Sequence, residues 1–384
     1  MALDQDTLNQ FLDVVKRYVA ERLVPLEEQV AEQDFIPEDV IEEMKEMGLF
    51  GLSIPQEFGG LGLSMSEEVA IIQEMGYTSP VFRSVFGTNV GIGSQGIIMD
   101  GTAEQKEKYL PLMASGELIG SFALTEPEAG SDAGAVITSA VHDGDSYVIN
   151  GTKRFITNAP RAGVFTVMAR TGTREEGSRG VSAFLVDADL VGISLGKPDK
   201  KMGQKGAHTC DVIFDNVRVP KDALIGGVEG KGFKTAMKVL DRGRLHISAL
   251  SVGIAKRLID ESLSYATQRK QFGQHISSFQ LIQGMLATSQ TDYYAGKCMV
   301  EQTASAYDAA GSNSMNAAAC KLFCTEMVGR VADSAVQIHG GSGYVSEYCV
   351  ERFYRDVRLF RLYEGTSQIQ QLVIAKQMIK AHQD

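Results

Sequence analysis

The spacing of apolar residues changes twice along this chain, and the two changes divide it into three consecutive units. Before Ser121, apolar residues recur at the three- and four-residue spacing of an amphipathic helix, as at Leu8, Phe11 and Val15. The next hundred or so residues form short β-branched and aromatic runs between turn residues. After Gly232, long helical patterns return. The chain is therefore predicted to be an α+β multidomain protein with an N-terminal helical domain (1–120), a central β-barrel-like domain (121–230) and a C-terminal four-helix bundle (231–384).

Local signals predict the ends of individual elements. Thr102 and Gln105 match a capping box at the start of a helix that Pro111 is expected to kink or end. Asn150-Gly151 is typical of a two-residue hairpin turn. The expected strands are Val164–Ala169, Val181–Val186 and Thr209–Phe214. The expected C-terminal helices are Phe233–Leu240, Gly243–Lys270, Gln280–Ala310, Ala317–Ile338 and Ser367–Lys380.

Composition argues against several classes of function. The net charge of −11 disfavours a nucleic-acid partner, which needs a basic surface. The five cysteines include no CxxC pair, so we expect reduced thiols without a metal site or disulfide framework. No apolar run reaches the ~18 residues of a membrane span. The polar, acidic N-terminus lacks the pattern of a signal or transit peptide. We therefore expect a bacterial-type cytoplasmic protein, or a mitochondrial matrix protein without its transit peptide.

Glu364 lies on a short Glu-Gly break just before a predicted amphipathic helix. Ser367 and Gln370 are predicted to form the capping box of that helix. A carboxylate on a rigid elbow, with Gly365 allowing a ligand close to the backbone, suits a base for carbanion chemistry. The alternative for a single glutamate is a solvated surface position. The apolar face of the helix would consist of Ile369, Leu372 and Val373.

Two patches in the central unit carry glycines, hydroxyls and an aromatic side chain. The first, Phe122–Gly134, could bring backbone N–H groups and the hydroxyl of Thr125 against a flat heterocycle or a phosphate. In the second, Lys153–Asn158, strand alternation would put Phe155 and Thr157 on one face, where they could meet the same ligand. The alternatives are an ordinary Gly-rich turn and a half-buried strand.

Two further patches lie at helix ends in the C-terminal unit. Arg269–Gly273, followed by Phe279-Gln280, combines a cation with aromatic side chains, which fits a pyrophosphate or adenosine group. The alternative is a cationic helix cap. Gln337–Tyr344 has more glycines than one helix cap requires, which permits close approach of a ligand to the backbone. His339 is expected to be packed rather than catalytic, because no nucleophile or metal ligand accompanies it.

In their order and spacing, these patches together resemble the acyl-CoA dehydrogenase family of flavoproteins over essentially the whole chain. The most specific runs are Thr125–Asp132, Gln337–Gly341 and Tyr363–Thr366. The resemblance implies the family's fold, with FAD between the central and C-terminal domains. It also implies oxidation of an acyl-CoA thioester to the trans-2-enoyl-CoA. Glu364 would match the base that removes the α-proton while the β-hydrogen leaves as hydride to flavin N5.

The resemblance also assigns binding residues and partners. Part of the FAD site would come from a neighbouring subunit, so a homotetramer, arranged as a dimer of dimers, is expected. Electron-transferring flavoprotein would be the electron acceptor. The positions that match acyl-CoA contacts are Ser131, Asp241, Arg244 and Gly365. The positions that match FAD contacts are Phe122, Leu124, Thr125, Gly130, Ser131, Phe155, Ile156, Thr157, Arg269, Gln271, Phe272, Phe279, Gln280, Gln337, Ile338, Gly340, Gly341, Thr366 and Gln368.

Two positions distinguish this chain from many members of the family. Phe155 stands where the flavin-stacking residue is often tryptophan, and the chain contains no tryptophan. Gly243 occupies the position at which some relatives carry their catalytic glutamate. Because glycine cannot act as a base, the resemblance leaves Glu364 as the candidate.

Three alternatives to a dehydrogenase stay open. An acyl-CoA oxidase usually carries an added C-terminal domain, which the short segment after Glu364 disfavours. A nitroalkane oxidase typically has aspartate as its base. A non-catalytic flavin- or CoA-binding homologue is disfavoured because Glu364, Asp241 and Arg244 are all present. We expect a short- or medium-chain acyl group, straight or branched, on CoA or on a carrier protein. Its pocket would be shaped by Val81–Gly101 and Leu240–Ser248.

Overall fold

The N-terminal part of the protein is helical, as predicted. The computed structural model describes residues 3–383. The Thr102–Gln105 capping box forms as predicted. Pro111, however, does not end its helix: it lies on the exposed side, where water can hydrate the carbonyl that loses its hydrogen bond. The helices here are α1 (Gln5–Tyr18), α2 (Glu27–Gln33), α3 (Glu38–Glu46), α4 (Met65–Met75), α5 (Pro80–Thr88), α6 (Gln95–Asp100) and α7 (Ala103–Ser115).

The central part forms a mixed seven-stranded sheet. Its strand order is β1-β4-β2-β3-β7-β6, and β5 pairs with β4 outside that path. Strands β1 and β4 are parallel, whereas β2–β3, β3–β7 and β4–β5 are antiparallel. The three predicted strands correspond to β4, β5 and the first half of β7. The strands are β1 (Gly120–Ala123), β2 (Ser139–Asp143), β3 (Ser146–Thr157), β4 (Val164–Arg170), β5 (Val181–Asp187), β6 (Ile193–Leu195) and β7 (Thr209–Pro220).

The predicted Asn150-Gly151 hairpin turn is wrong. Both residues lie inside β3, where the register against β7 shifts between Ile149 and Gly151. A Cβ on Gly151 would lie 2.4 Å from Thr138 Oγ1, so this glycine permits a close approach within the sheet. The tight turn between β2 and β3 is instead Gly144-Asp145.

The C-terminal part is a bundle of long helices. Helix α8 packs against α9 and α10, and also against α4 of the N-terminal part. A shared apolar core joins these two helical regions, while separate cores line the sheet. The elements here are α8 (Gly232–Gln268), β8 (Lys270–Gln271), β9 (Gln274–His275), α9 (Gln280–Ala310), α10 (Ser314–His339), α11 (Cys349–Val357) and α12 (Ser367–Gln383).

The predicted helices Phe233–Leu240 and Gly243–Lys270 are a single continuous helix, α8. The charges between them do not interrupt it, because each finds a partner. Arg242 forms a buried ion pair with Glu68 of α4. Asp241 and Arg244 pair at 2.5 Å along α8 itself.

The predicted capping box of α12 does not form, and a single N-cap hydrogen bond lies one residue earlier. The Thr366 hydroxyl, not that of Ser367, accepts the hydrogen bond from the backbone N–H of Ile369, at 3.2 Å. Ser367 instead donates to Glu326. Of the predicted apolar face, Leu372 is 65% exposed, whereas Ile369 and Val373 are partly buried.

The three-part fold is confirmed, whereas the domain limits at residues 120 and 230 stay a prediction. No helix within residues 3–383 combines the length and apolar character needed to cross a bilayer. The same stretch contains no cluster of side chains suited to a metal ion. Its five cysteines are all unpaired, and Cys320 and Cys324 are buried in the core as expected.

Candidate active site

A cavity of about 800 Å³ opens where the sheet meets α5, α8 and the segment before α12. Its size lies within the range of small-molecule sites. One wall comes from β1, β3 and the loop after β1, and another from α8. Glu364 and Gly365 lie in the wall contributed by the C-terminal part. The cavity therefore joins residues from all three parts of the fold.

Glu364 sits on a backbone elbow of two successive left-handed residues. Its φ is +54°, which is unusual for a side chain with a Cβ, and that of Gly365 is +88°. Such a conformation persists only where its surroundings fix it. Here the Gln370 side chain donates to the carbonyl oxygens of Glu364 and Gly365, at 3.1 and 2.9 Å. The Lys321 ammonium donates to the Gly365 carbonyl at 2.8 Å.

Glu364 lines the cavity, and neither oxygen of its carboxylate accepts a hydrogen bond among residues 3–383. Its Oε2 atom is buried against Gly243. Burial raises the pKa of this carboxyl above its ordinary 4.5, against the opposing attraction of Arg83, Lys321 and Arg244. A desolvated carboxylate with a free oxygen is suited to accept a proton from a ligand in the cavity.

Gly243 of α8 lies directly against the Glu364 carboxylate. A Cβ at this position would lie 2.3 Å from Glu364 Oε2, well inside van der Waals contact. A glutamate at 243 would thus compete with Glu364 for the same space. The absence of a side chain here is part of what places Glu364 against the cavity.

The central-domain residues predicted to bind the flavin all lie along the cavity, and they are Phe122, Leu124, Thr125, Gly130, Ser131, Phe155, Ile156 and Thr157. The alternation argument for Phe155 and Thr157 is wrong, because a bulge lies between Lys153 and Ile156. Phe155 has a φ of +58°, and its side chain is 57% exposed. The bulge presents its ring to the cavity, where a ligand could cover it.

Of the predicted acyl-CoA contacts, Ser131, Arg244 and Gly365 line the cavity. Asp241 does not line it. Its carboxylate instead pairs with Arg244 and accepts hydrogen bonds from the hydroxyls of Ser312 and Ser314. In this chain Asp241 therefore orients Arg244 and joins α8 to the start of α10.

The remaining predicted FAD contacts lie away from the cavity. Phe272, 93% exposed, packs edge-on against Phe279 at 6.0 Å between ring centres. His339 is packed as predicted, stacked 4.3 Å from Tyr265. Gln368 is exposed on α12. The residues that do not reach the cavity are Arg269, Gln271, Phe272, Phe279, Gln280, Gln337, Ile338, Gly340, Gly341, Thr366 and Gln368. Their assignment to FAD stays a prediction, in which part of the site would come from a second subunit.

A buried ion pair supports the loop after β1, and the sequence reasoning missed it. Glu126 accepts hydrogen bonds from the backbone N–H groups of Ile137 and Thr138, at 2.6 and 3.0 Å. Lys153 donates to Glu126 at 2.7 Å and to the Leu124 carbonyl at 3.1 Å. Burial lowers the pKa of Lys153 to about 8, although Glu126 opposes the shift. Glu126, the first glutamate of the Thr-Glu-Pro-Glu run, thus holds the cavity wall in place.

Two cations beside Glu364, Arg83 and Lys321, were also missed. Burial lowers the pKa of Lys321 to about 8. A signal for Lys321 existed, because it is a charge on the apolar face of α10, next to Cys320 and one turn before Cys324. Arg83 offered a similar signal, because it is a charge within the apolar run of α5, and it lies in the stretch Val81–Gly101 that was predicted to shape the acyl pocket.

Comparison with known proteins identifies relatives over nearly the full chain. Family models of the acyl-CoA dehydrogenase N-terminal, middle and C-terminal domains match residues 5–117, 121–217 and 230–379. The chain is 42% identical to acryloyl-CoA reductase (NADH) of Anaerotignum propionicum, over 97% of this chain and 94% of the relative. It is 41% identical to the caffeyl-CoA reductase-Etf complex subunit CarC of Acetobacterium woodii, over 97% and 98% of the two chains.

Solved structures give the same result. Butyryl-CoA dehydrogenase from Megasphaera elsdenii superposes with a TM-score of 0.94 at 31% identity, covering 99% of this chain and 100% of the other. An acyl-CoA dehydrogenase of Bacillus anthracis complexed with FAD superposes with a TM-score of 0.92 at 33% identity. This second match covers 100% of this chain and 69% of the other.

The cavity wall fits the flat ring system of FAD. The exposed Phe155 ring offers an apolar surface. The hydroxyls of Thr125 and Thr157 line the same cavity, and neither has a hydrogen-bond partner in the described part of the chain. An isoalloxazine ring has apolar faces and a polar edge that could meet these groups. The chain belongs to the acyl-CoA dehydrogenase family and is an FAD-dependent oxidoreductase.

Proposed function

We propose that the protein catalyses α,β-dehydrogenation of an acyl-CoA thioester to the trans-2-enoyl-CoA, with Glu364 as the base. The observation that carries this proposal is the desolvated Glu364 carboxylate, which lines the cavity without a hydrogen-bond partner among residues 3–383. An aliphatic substrate brings no hydrogen-bond donor to this carboxylate, so a C–H proton is the group it can take. We propose that the thioester α-proton passes to Glu364 while the β-hydrogen leaves as hydride.

A thioester α-proton is too weakly acidic for a carboxylate base unless the carbonyl is polarised. The elbow offers suitable donors. Within residues 3–383, the backbone N–H groups of Glu364 and Gly365 have no acceptor. We propose that they bind the thioester oxygen, which brings the α-carbon next to the carboxylate on the same elbow. FAD, when bound, supplies the two-electron acceptor for the β-hydride.

The reverse reaction, reduction of a 2-enoyl-CoA, is the second candidate. The names of two relatives, acryloyl-CoA reductase and caffeyl-CoA reductase, favour it. By microscopic reversibility the same carboxyl group, now protonated, would donate its proton to the α-carbon. The Etf complex named for the second relative supports electron-transferring flavoprotein as the redox partner in either direction. We also propose a homotetramer, because the patch around Phe272 is exposed in the single chain.

Anaerobic flavin reduction tests the proposed function. The purified holoenzyme is mixed under argon with straight and branched acyl-CoA esters from four to sixteen carbons, and the flavin absorbance is followed. We expect at least one ester to bleach the flavin and to yield its 2-enoyl-CoA. In parallel, reduced holoenzyme is mixed with the corresponding enoyl-CoA esters to detect the reverse reaction. If neither panel changes the oxidation state of the flavin, the proposal is wrong. Peroxide released in air at the turnover rate would instead indicate an oxidase.

The raised pKa of Glu364 predicts opposite pH dependences for the two directions. Removal of the α-proton needs the carboxylate, so the kcat/KM of dehydrogenation should rise with pH through an ionisation above 4.5. Reduction of an enoyl-CoA needs the protonated acid, so its kcat/KM should fall through the same ionisation. Stopped-flow measurements with one acyl-CoA/enoyl-CoA pair over a pH series would show both trends. Two pH-independent profiles would contradict the assignment of Glu364.

A further inference from the structure

Arg83 is a buried cation in the wall of the substrate cavity. It lies on α5, is 5% exposed, and lines the same cavity as Glu364. Its charge influences the Glu364 carboxyl, yet no carboxylate lies within 4.0 Å of its guanidinium among residues 3–383. A buried charge without an ion partner is costly. The proton transfer at Glu364 does not explain why an unpaired cation is buried in this cavity wall.

Most hydrogen-bonding capacity of Arg83 is unused. Its Nη2 atom lies 3.2 Å from His246 Nδ1, and His246 Nε2 lies 2.8 Å from Glu68. Burial lowers the pKa of His246, so the ring is neutral, donating to Glu68 and accepting from Arg83. Only this one of the five N–H groups of Arg83 has an acceptor in the described chain. The Nε–H group is buried and has no hydrogen-bond partner among residues 3–383.

Arg83 differs from the other buried arginines in its lack of a carboxylate partner among residues 3–383. Within residues 3–383, five arginines have a buried Nε atom without a hydrogen-bond partner. Four of them are ion-paired through their terminal nitrogens: Arg242 with Glu68, Arg244 with Asp241, Arg352 with Glu27 and Arg361 with Glu326. Of the five, Arg83 alone lacks a carboxylate, and it faces the substrate cavity.

Two glycines make room for the guanidinium. A Cβ on Gly87, one turn further along α5, would lie 2.2 Å from Arg83 Nε. A Cβ on Gly91 would lie 3.2 Å from Arg83 Nη2 and 3.3 Å from His246 Nδ1. Larger residues at either position would force the arginine to move. The local sequence thus holds the guanidinium in a defined place, oriented by His246.

A charge count around Glu364 leaves one positive charge uncompensated. The cations that act on Glu364 are Arg83, Lys321 and Arg244. Arg244 is already paired with Asp241. Arg83 and Lys321 therefore face the single carboxylate of Glu364. One further negative charge in the cavity would balance the group, and an uncharged acyl chain cannot provide it.

We propose that Arg83 binds the carboxylate at the far end of a dicarboxylic acyl group, so that the substrates are ω-carboxyacyl-CoA esters. This inference rests on the proposed function, because it places the acyl group in the same cavity. An ω-carboxylate supplies both the missing charge and acceptors for the free N–H groups. A planar guanidinium with adjacent free donors matches a carboxylate in two-point contact. Recognition at the acyl terminus would also hold the α-carbon at a fixed distance from Glu364.

The test compares esters of equal length with and without the terminal carboxylate. Glutaryl-CoA is paired with valeryl-CoA and adipyl-CoA with hexanoyl-CoA, and anaerobic flavin reduction is measured for wild type and Arg83→Met. We expect wild type to prefer the dicarboxylic member of at least one pair. Loss of a buried, charge-assisted contact should lower that preference by about 100-fold or more in Arg83→Met. Should the enzyme act as a reductase, the same ratios are measured with the enoyl-CoA esters and reduced enzyme.

Two further variants control for non-specific effects. Arg22→Met removes an arginine of the surface ion pairs with Asp39 and Glu43 and should keep the wild-type preference. Arg83→Lys keeps the charge but loses the planar contact, so its preference should fall between those of wild type and Arg83→Met. A wild-type enzyme that prefers valeryl-CoA and hexanoyl-CoA would overturn the inference and leave the proposed function standing. Failure of every ester would overturn the proposed function itself.

Discussion

Replacement of Glu364 by glutamine should lower the rate of flavin reduction by an acyl-CoA about 10²–10⁴-fold, the usual contribution of a general base. Glutamine keeps the shape of the side chain but cannot accept the α-proton. It also fits the space that Gly243 leaves open, so the elbow should keep its conformation. Rapid-mixing spectroscopy under argon measures the rate, and the flavin content with the dissociation constant of the acyl-CoA show whether binding is retained.

The Glu364→Gln experiment has a matched control in Glu229→Gln. Glu229 accepts a hydrogen bond from the Tyr147 hydroxyl at 2.6 Å and does not line the cavity. Its replacement should leave the reduction rate close to that of wild type. A Glu364→Gln enzyme that binds flavin and ester normally and still reduces the flavin at the wild-type rate would show that another group is the base.

Much of the fold could be predicted from the sequence because it depends on local patterns. Apolar periodicity identified the helical character of the first and last thirds, and α9 matches its predicted limits, Gln280–Ala310. Errors arose where contacts with other elements of the fold overrode a local sequence signal. Asn150-Gly151 has turn chemistry, but contact with Thr138 places it inside a strand. The expected break between Leu240 and Gly243 is absent, because Arg242 pairs with Glu68, and Asp241 pairs with Arg244 and accepts a hydrogen bond from Ser314.

The candidate site likewise contains some residues that local sequence patterns indicated and others that they did not. The carboxylate on its elbow and the loop after β1 belong to contiguous runs, so a pattern of neighbouring residues indicated them. Arg83 of α5 lines the cavity, whereas His246 of α8 and Lys321 of α10 lie behind the lining, in contact with Arg83 and with the Gly365 carbonyl. No spacing rule within one segment relates them. The acyl group was correspondingly left open, because Arg83 lies in the predicted pocket stretch Val81–Gly101 but was not singled out within it.

Replacement of Lys153 by methionine should destabilise the protein by about 3–5 kcal/mol, because it leaves Glu126 buried without its ion partner. The Lys153 side chain is 0% exposed, and it also donates to the Leu124 carbonyl in the loop that borders the proposed flavin site. Denaturant unfolding of the holoenzyme measures the loss, and the dissociation constant of FAD should rise with it.

Lys108→Met is the matched control, since Lys108 pairs with Asp187 at the surface, where an ion pair contributes about 0–1 kcal/mol. The double variant Glu126→Gln/Lys153→Met should recover part of the stability, because no unpaired charge remains. Equal stabilities of Lys153→Met and Lys108→Met would mean that the buried pair does not support the cavity wall.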